Sequence, residues 1–240
     1  RPHERRRGRD HPVRTAVVLF TRDLRLHDNP ALAGALAAAE QVVPLFVADD
    51  ALGATRFGRA ENRLAFLEES LADLDESLRE RGARLVARRG DVVAETVRMT
   101  RETGAEAVFA SADVSPYARE RERRLARALD LRLANGLFVV PPGEVAPQGS
   151  HHYRVFTPYH RAWRQVPPGD PLPAPRAIRL PAGVGLPADR RERLVFQKHK
   201  AVSPRALRGG ETAGTERARR WLRTRLATYG DGGHDDLAAD

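Results

Sequence analysis

The chain has 240 residues and no cysteine, which excludes disulfides, thiolate catalysis and cysteine-ligated zinc, and its length suits one large domain or one domain with part of another. Its formal charge of +9 is carried almost wholly by arginine, Lys198 and Lys200 being the only lysines, a bias that codon composition also produces, so it argues only weakly for a polyanion partner. No apolar run approaches the roughly 20 residues of a membrane helix, and the basic N-terminus leads into a strand rather than a signal-peptide core, so a cytoplasmic protein with no membrane contact is expected.

Arg1 to Arg14 (RPHERRRGRDHPVR) is too charged to offset the entropy of ordering, and a disordered basic arm is expected, able at most to touch polyanions weakly and non-specifically. Ala16 to Phe20 is a short apolar run that reads as a strand buried on both faces of a parallel sheet. The loop after it carries Arg22, Asp23 and Arg25 but no glycine, so its backbone cannot wrap a pyrophosphate. Arg22 and Asp23 are expected to pair with each other. Asn29-Pro30 supplies an N-cap and a first-turn proline for a helix through Leu32 and Leu36.

Gln41 to Val47 is a second buried strand, whose Pro44 marks a bulge or a place near the edge. Leu64, Leu67, Leu71, Leu74 and Leu78 step by three and four through Ala60 to Glu80, predicting an amphipathic helix that Gly82 ends. Arg84 to Arg88 is a shorter, more polar strand suited to an edge. Asp91 caps a helix carrying Val92, Val93 and Val97, which Gly104 ends, and Ala107 to Ala110 is a fourth strand. The helix after Pro116 is mostly charge, with Leu125 and Leu129 turned inward and Glu120 set to pair with Arg124 four residues on. A fifth strand lies within Leu131 to Val140, in either of two registers. Strands interleaved with helices in this way predict an α/β fold: a doubly wound, five-stranded parallel sheet of the Rossmann-like kind.

After Val140 the sequence turns proline-dense and loses both periods, as a long connector laid over a surface would. Tyr153 to Trp163 (YRVFTPYHRAW) concentrates aromatics; a stacking surface for bases is one reading, and an anchor holding the connector to the globule is the expected one. A last helix is predicted over Thr215 to Tyr229, with Ala218, Leu222, Leu226 and Tyr229 on a face that has no visible partner before Asp240. That suggests a module cut off after its first helix.

Site chemistry is sparse. His151, His152 and His160 do not have the spacing of a metal helix, so no metal is expected; no GxSxG elbow exists, and Gly183, Gly185 and Pro187 imitate a glycine loop but precede no helix. No catalytic residue is assigned. Asp49 and Asp113 both fall just past strand ends, where ligands bind in open α/β sheets, and with Phe46 and Arg63 they could ring one crevice suited to a planar polar ligand. Equally, the two aspartates cap the helices that follow.

TRDLRLHDNPAL after a buried strand, then VVPLFVAD, ENRLAFLEESLADL, SADVSPYARERE and YRVFTPYHRAW, occur in the order found in the N-terminal half of the DNA photolyase/cryptochrome family, and the chain resembles that family from about Thr15 to Tyr229. GGETAG, Gly209 to Gly214, is similar to the entry of its helical flavin domain. After the arm over 1–14, the resemblance implies an α/β antenna domain over 15–140, an interdomain connector over 141–208 and the start of an incomplete helical FAD domain over 209–240. It implies light-driven repair of cyclobutane pyrimidine dimers in UV-damaged DNA, with FAD and the DNA both held by the helical domain, so that these residues alone would not repair. It also implies an antenna pigment, a deazaflavin (8-HDF) or FMN, held by Phe46, Val47, Asp49, Arg63, Asp113 and Ser115. Folate is disfavoured, because Tyr117 and Ala118 stand where folate-binding members place an Asn-Glu pair. A cryptochrome-like photosensory module is the alternative, followed by a free-standing nucleotide-binding domain, against which the glycine-free loop argues.

Overall fold

Five parallel strands, β1 (Val13–Phe20), β2 (Ala39–Asp49), β3 (Val86–Gly90), β4 (Ala107–Ser111) and β5 (Leu131–Ala134), lie in the order β3-β2-β1-β4-β5. The structure is a computed structural model and describes residues 11–55, 58, 60–147, 149, 152–184 and 202–229. Most of the basic arm, His151, Gly185, Pro187, both lysines and 230–240 lie outside the described residues. β1 already begins at Val13, inside the stretch read as the arm.

The central strands are apolar on both sides because both sides are covered. Ala16, Val18 and Phe20 pack with Leu32 of α1 (Pro30–Ala38) and Leu74 and Leu78 of α3 (Glu61–Arg79). The alternate residues Val17 and Leu19 pack with Val92 and Met99 of α4 (Val92–Thr103) and Leu125 of α5 (Pro116–Ala128). The doubly wound sheet is therefore as predicted. A short α2 (Asp50–Gly53) follows β2 directly.

Local signals place most of the boundaries. Asn29 Oδ1 accepts the Leu32 N–H at 3.0 Å with Pro30 in the first turn, Asp91 Oδ1 accepts the Ala94 N–H at 2.9 Å, and Gly104 ends α4 at φ 65°. β3 starts two residues later than expected because Asp75 Oδ1 takes the Leu85 N–H at 2.9 Å before strand pairing begins. Pro44 makes no bulge. Val42, two residues earlier and so facing the same way, donates away from β1 to Arg179 O at 2.9 Å, and β3 pairing starts only at Leu45. The absent proline N–H therefore points where no partner strand runs. The expected Glu120–Arg124 pair is replaced: Glu120 takes Arg123, while Arg124 reaches both Asp91 oxygens at 3.1 and 3.0 Å and ties α5 to α4.

The proline-rich stretch runs over the surface, as expected, and is pinned there by one buried side chain and by backbone bonds. Ile178 is buried among the α3 leucines, its N–H donates to Arg81 O at 2.7 Å, and Asp28 N donates to Leu172 O at 2.7 Å. The aromatic segment does not anchor it. Tyr153 to Trp163 forms α6 (Phe156–Trp163), none of whose residues is buried; Phe156, His160 and Trp163 stack on one another along the helix. α7 (Glu211–Thr224) begins four residues earlier than expected and gives way to a 3-10 turn at Leu226–Thr228. It packs on α3, while Leu222, Leu226 and Tyr229 remain exposed.

Candidate functional site

The chain leaves β1 toward β2 and β3 on one side and returns to β4 and β5 on the other, so the winding reverses between β1 and β4. The crevice outside the carboxyl ends at such a point is where open α/β sheets bind ligands. Side chains from three strand ends meet there. Asp23 turns inward: its Oδ1 accepts the Thr21 N–H at 3.2 Å and its Oδ2 accepts the buried Ser111 hydroxyl at 2.6 Å. Arg22 turns outward and crosses the reversal instead, its Nη1 lying 3.2 Å from Asp113 Oδ2. The expected Arg22–Asp23 pair is thus not formed, because Asp23 is already engaged by β4.

Asp113 is almost fully buried, and its Oδ1 accepts the Ser115 N–H at 2.9 Å. Burial raises its carboxyl, but that N–H bond and the Arg22 guanidinium outweigh it and hold the group below the ordinary carboxylate value. Its own N–H donates to Glu122 Oε1 at 3.0 Å. Burial pushes Glu122 the other way, above its ordinary value, against the opposing pull of that N–H and of Arg121.

The six residues proposed from sequence divide between the two faces. Phe46 and Val47 are both buried but adjacent on β2, so they point to opposite sides: Val47 joins the α4/α5 cluster, and Phe46 shares the parity of Val42 on the α1/α3 side. Asp49 follows Val47's parity and caps α2, its Oδ1 accepting the Ala51 N–H at 2.8 Å. Ser115, not Asp113, is the N-cap of α5, accepting the Ala118 N–H at 3.3 Å. Arg63 is exposed in the first turn of α3, the helix of the opposite face. Val47, Asp49, Asp113 and Ser115 therefore share the α4/α5 side of the rim, and Phe46 and Arg63 the other.

Two further residues belong to this rim. Arg121 is partly buried on α5, and burial lowers its guanidinium pKa against the opposing charges of Glu122, Asp113, Asp49 and Asp23. One arginine is thus faced by carboxylates from the ends of β1, β2 and β4 and from its own helix. Its guanidinium carbon lies 5.8 Å from the Tyr117 ring centroid. Thr21 follows β1 directly, at the start of the loop that carries Arg22 and Asp23. Thr21 Oγ1 and Arg121 Nε are both buried with no hydrogen-bond partner among the described residues. A signal for Arg121 was present in the sequence: Ala118, Arg121, Glu122 and Leu125 lie at helical spacing on one face, and Ala118 and Leu125 are its buried ends.

A wound parallel sheet with a glycine-free, carboxylate-lined switch point defines a Rossmann-like domain without a dinucleotide fingerprint. The DNA photolyase family model matches residues 16–176, and the chain belongs to that family, of which it has the N-terminal α/β domain. It is 46% identical over 233 residues to the deoxyribodipyrimidine photo-lyase of Streptomyces griseus, covering 94% of this chain and 50% of that protein. It is 31% identical over 221 residues to cryptochrome DASH of Natronomonas pharaonis, covering 87% of this chain and 47% of that one. The fold also matches the crystal structure of an archaeal photolyase from Sulfolobus tokodaii, described as holding two FAD molecules and implying a novel light-harvesting cofactor, with a TM-score of 0.70 and 24% identity over 84% of this chain and 45% of that one. The chain thus spans about half the length of these relatives. Among the described residues no helix is long and apolar enough to cross a membrane.

Proposed function

We propose that this α/β domain binds an antenna pigment at the carboxyl rim of its sheet and serves as the light-collecting half of a deoxyribodipyrimidine photolyase acting on UV-damaged DNA. The observation that carries the reading is the gathering of Asp49, Asp113 and Glu122 around Arg121 on one side of the switch point. That lining offers acceptors and donors to the edge of a flat heterocycle and has no glycine loop to hold a pyrophosphate. A deazaflavin fits it, or the ring of FMN; the Asn-Glu grip on a pterin is replaced by Tyr117 and Ala118. When bound, such a pigment supplies absorption in the near ultraviolet or blue. The residues of this chain hold and orient it: Val47 as apolar floor, Asp49, Asp113 and Ser115 as polar wall, with Phe46 and Arg63 closing the rim from the other face. Dimer splitting is the chemistry of FAD, which the family resemblance assigns to a helical domain. The likeness to a cryptochrome DASH keeps a photosensory role as the second reading.

Titrating the purified chain with 5-deazariboflavin and with FMN, followed by fluorescence, tests the reading. Binding is expected, and Asp113→Asn and Arg63→Ala are each expected to weaken it severalfold. Unchanged affinity in both variants rejects the pocket.

A further inference from the structure

We infer that Glu211 is a positioning residue: its carboxylate clamps the start of α7 to the loop that carries Arg22 and Asp23, so that α7 and the rim of the sheet turn as one body. The inference rests on the reading that α7 opens the flavin-binding half, and adds what fixes the direction of that half relative to the crevice.

An acid in the first turn of a helix ordinarily serves its own helix, whose free N–H groups and dipole favour negative charge. Both oxygens of Glu211 leave the helix instead. Oε2 accepts the Leu26 N–H at 2.8 Å, while Oε1 accepts the His27 N–H at 3.1 Å and lies 2.8 Å from His27 Nδ1. The Glu211 side chain is only 16% exposed, whereas that of His27 is 65% exposed. The two backbone bonds, charge-assisted and shielded, therefore carry the clamp, and the ring contact in water adds little.

The gripped loop is itself braced. Leu26 is buried in the core, Arg25 Nη2 donates to Asp28 O at 2.7 Å and to Gly136 O at 2.8 Å, and Asn29 Nδ2 donates to Arg25 O at 2.9 Å. At its other end Arg22 and Asp23 hold Asp113 and Ser111. A displacement of Leu26 and His27 is thus a displacement of the rim.

Glu211 also supplies what the remaining contacts of α7 lack. The Gly209 and Thr212 N–H groups both donate to carboxylates of α3, which leaves a line about which the helix can swing, and no residue of α7 is buried. Glu211 adds a third point on a different element and removes that swing. Transfer of excitation between two pigments depends on their separation and on the angle between their transition dipoles, so a fixed angle between rim and α7 serves a light-collecting half directly.

The test uses the 240-residue chain without pigment, comparing the parent with Glu211→Ala, Glu211→Gln and His27→Ala by residual dipolar couplings and amide hydrogen exchange. In the parent, couplings from 211–224 and from β1, β2 and β4 are expected to fit one alignment tensor. Glu211→Ala is expected to need a separate tensor for 211–224 and to speed exchange at the Leu26 and His27 amides about tenfold, with the strand amides at the parent rate. Glu211→Gln, whose amide keeps one acceptor oxygen, is expected to fall between the two. His27→Ala retains both backbone donors and is expected to keep the single tensor. A single tensor in Glu211→Ala overturns the inference, as does a parent that already needs two. Loss of common alignment in His27→Ala as complete as in Glu211→Ala overturns it too, since the ring would then hold the helix. No pigment enters these measurements, so their failure is distinct from failure of the titration described above.

Discussion

Asp113 and Glu122 are joined through one backbone N–H and are pushed in opposite directions, so they should respond oppositely to the same neutralising change. Asp113 is depressed in the folded chain, so its contribution to stability is complete above its ordinary value of 3.8 and is lost as pH falls through the folded value. Asp113→Asn keeps an acceptor for the Ser115 N–H but leaves Arg22 unpaired. It is expected to cost about 1–2 kcal/mol in urea unfolding at pH 7, a gap that closes at acid pH where the parent carboxyl is also protonated. Glu122 is raised, so its contribution favours folding below its ordinary value of 4.5 and is lost as pH rises through the folded value. Glu122→Gln retains the oxygen that accepts the Asp113 N–H and removes the buried charge; the same titration should find it as stable as the parent at pH 7, or more so. The caps Asn29 and Asp91 were legible in the sequence because their partners lie three residues on. Arg22 was assigned to the wrong carboxylate because its real partner is 91 residues away and reached only by strand pairing.

For α7 the hydrophobic period misled, since it marks Leu222, Leu226 and Tyr229, which stay exposed. The helix docks instead by its backbone. It has no side-chain cap of its own, and α3 supplies one: Asp73 Oδ2 accepts the Thr212 N–H at 3.2 Å, and Glu69 Oε2 the Gly209 N–H at 2.7 Å. Glu211 reaches the β1–α1 loop, taking the Leu26 N–H at 2.8 Å and the His27 N–H at 3.1 Å. Periodicity cannot report such contacts, because carboxylates on a distant helix make them and no apolar stripe is involved. The close approach needs glycine. A Cβ at 209 would overlap the Phe66 carbonyl oxygen, and Gly210 sits at φ 109° with Asp73 Cβ 2.8 Å from the position of an added Cβ. Gly209→Ala is therefore expected to release α7 while leaving the sheet intact. Hydrogen exchange checks it: amides of 211–224 should exchange faster, and those of β1, β2 and β4 at the parent rate.

At the scale of the whole molecule the sheet was legible because strands covered on both faces read as unbroken apolar runs, whereas what fastens the chain beyond β5 was not. Sequence pointed to the aromatics of Tyr153 to Trp163, because aromatic side chains commonly carry the largest burial. The structure leaves Phe156 72% exposed and puts Ile178 at 3% among Leu74, Leu78 and Val42, flanked by partly buried Ala174 and Leu180. A lone isoleucine between prolines gives no periodic signal; its burial follows from the Arg81 and Arg179 backbone bonds that lay 178–179 along the open margin of β2 before β3 begins. The two readings differ in energy. Ile178→Ala removes buried methyl groups from a closed core and is expected to lower the unfolding free energy by about 2–5 kcal/mol. Phe156→Ser removes a ring that is mostly in water and is expected to change it by no more than about 0.5 kcal/mol. Parallel urea unfolding of the two variants decides between them, and a loss in Phe156→Ser as large as that in Ile178→Ala would return the anchoring role to the aromatic helix.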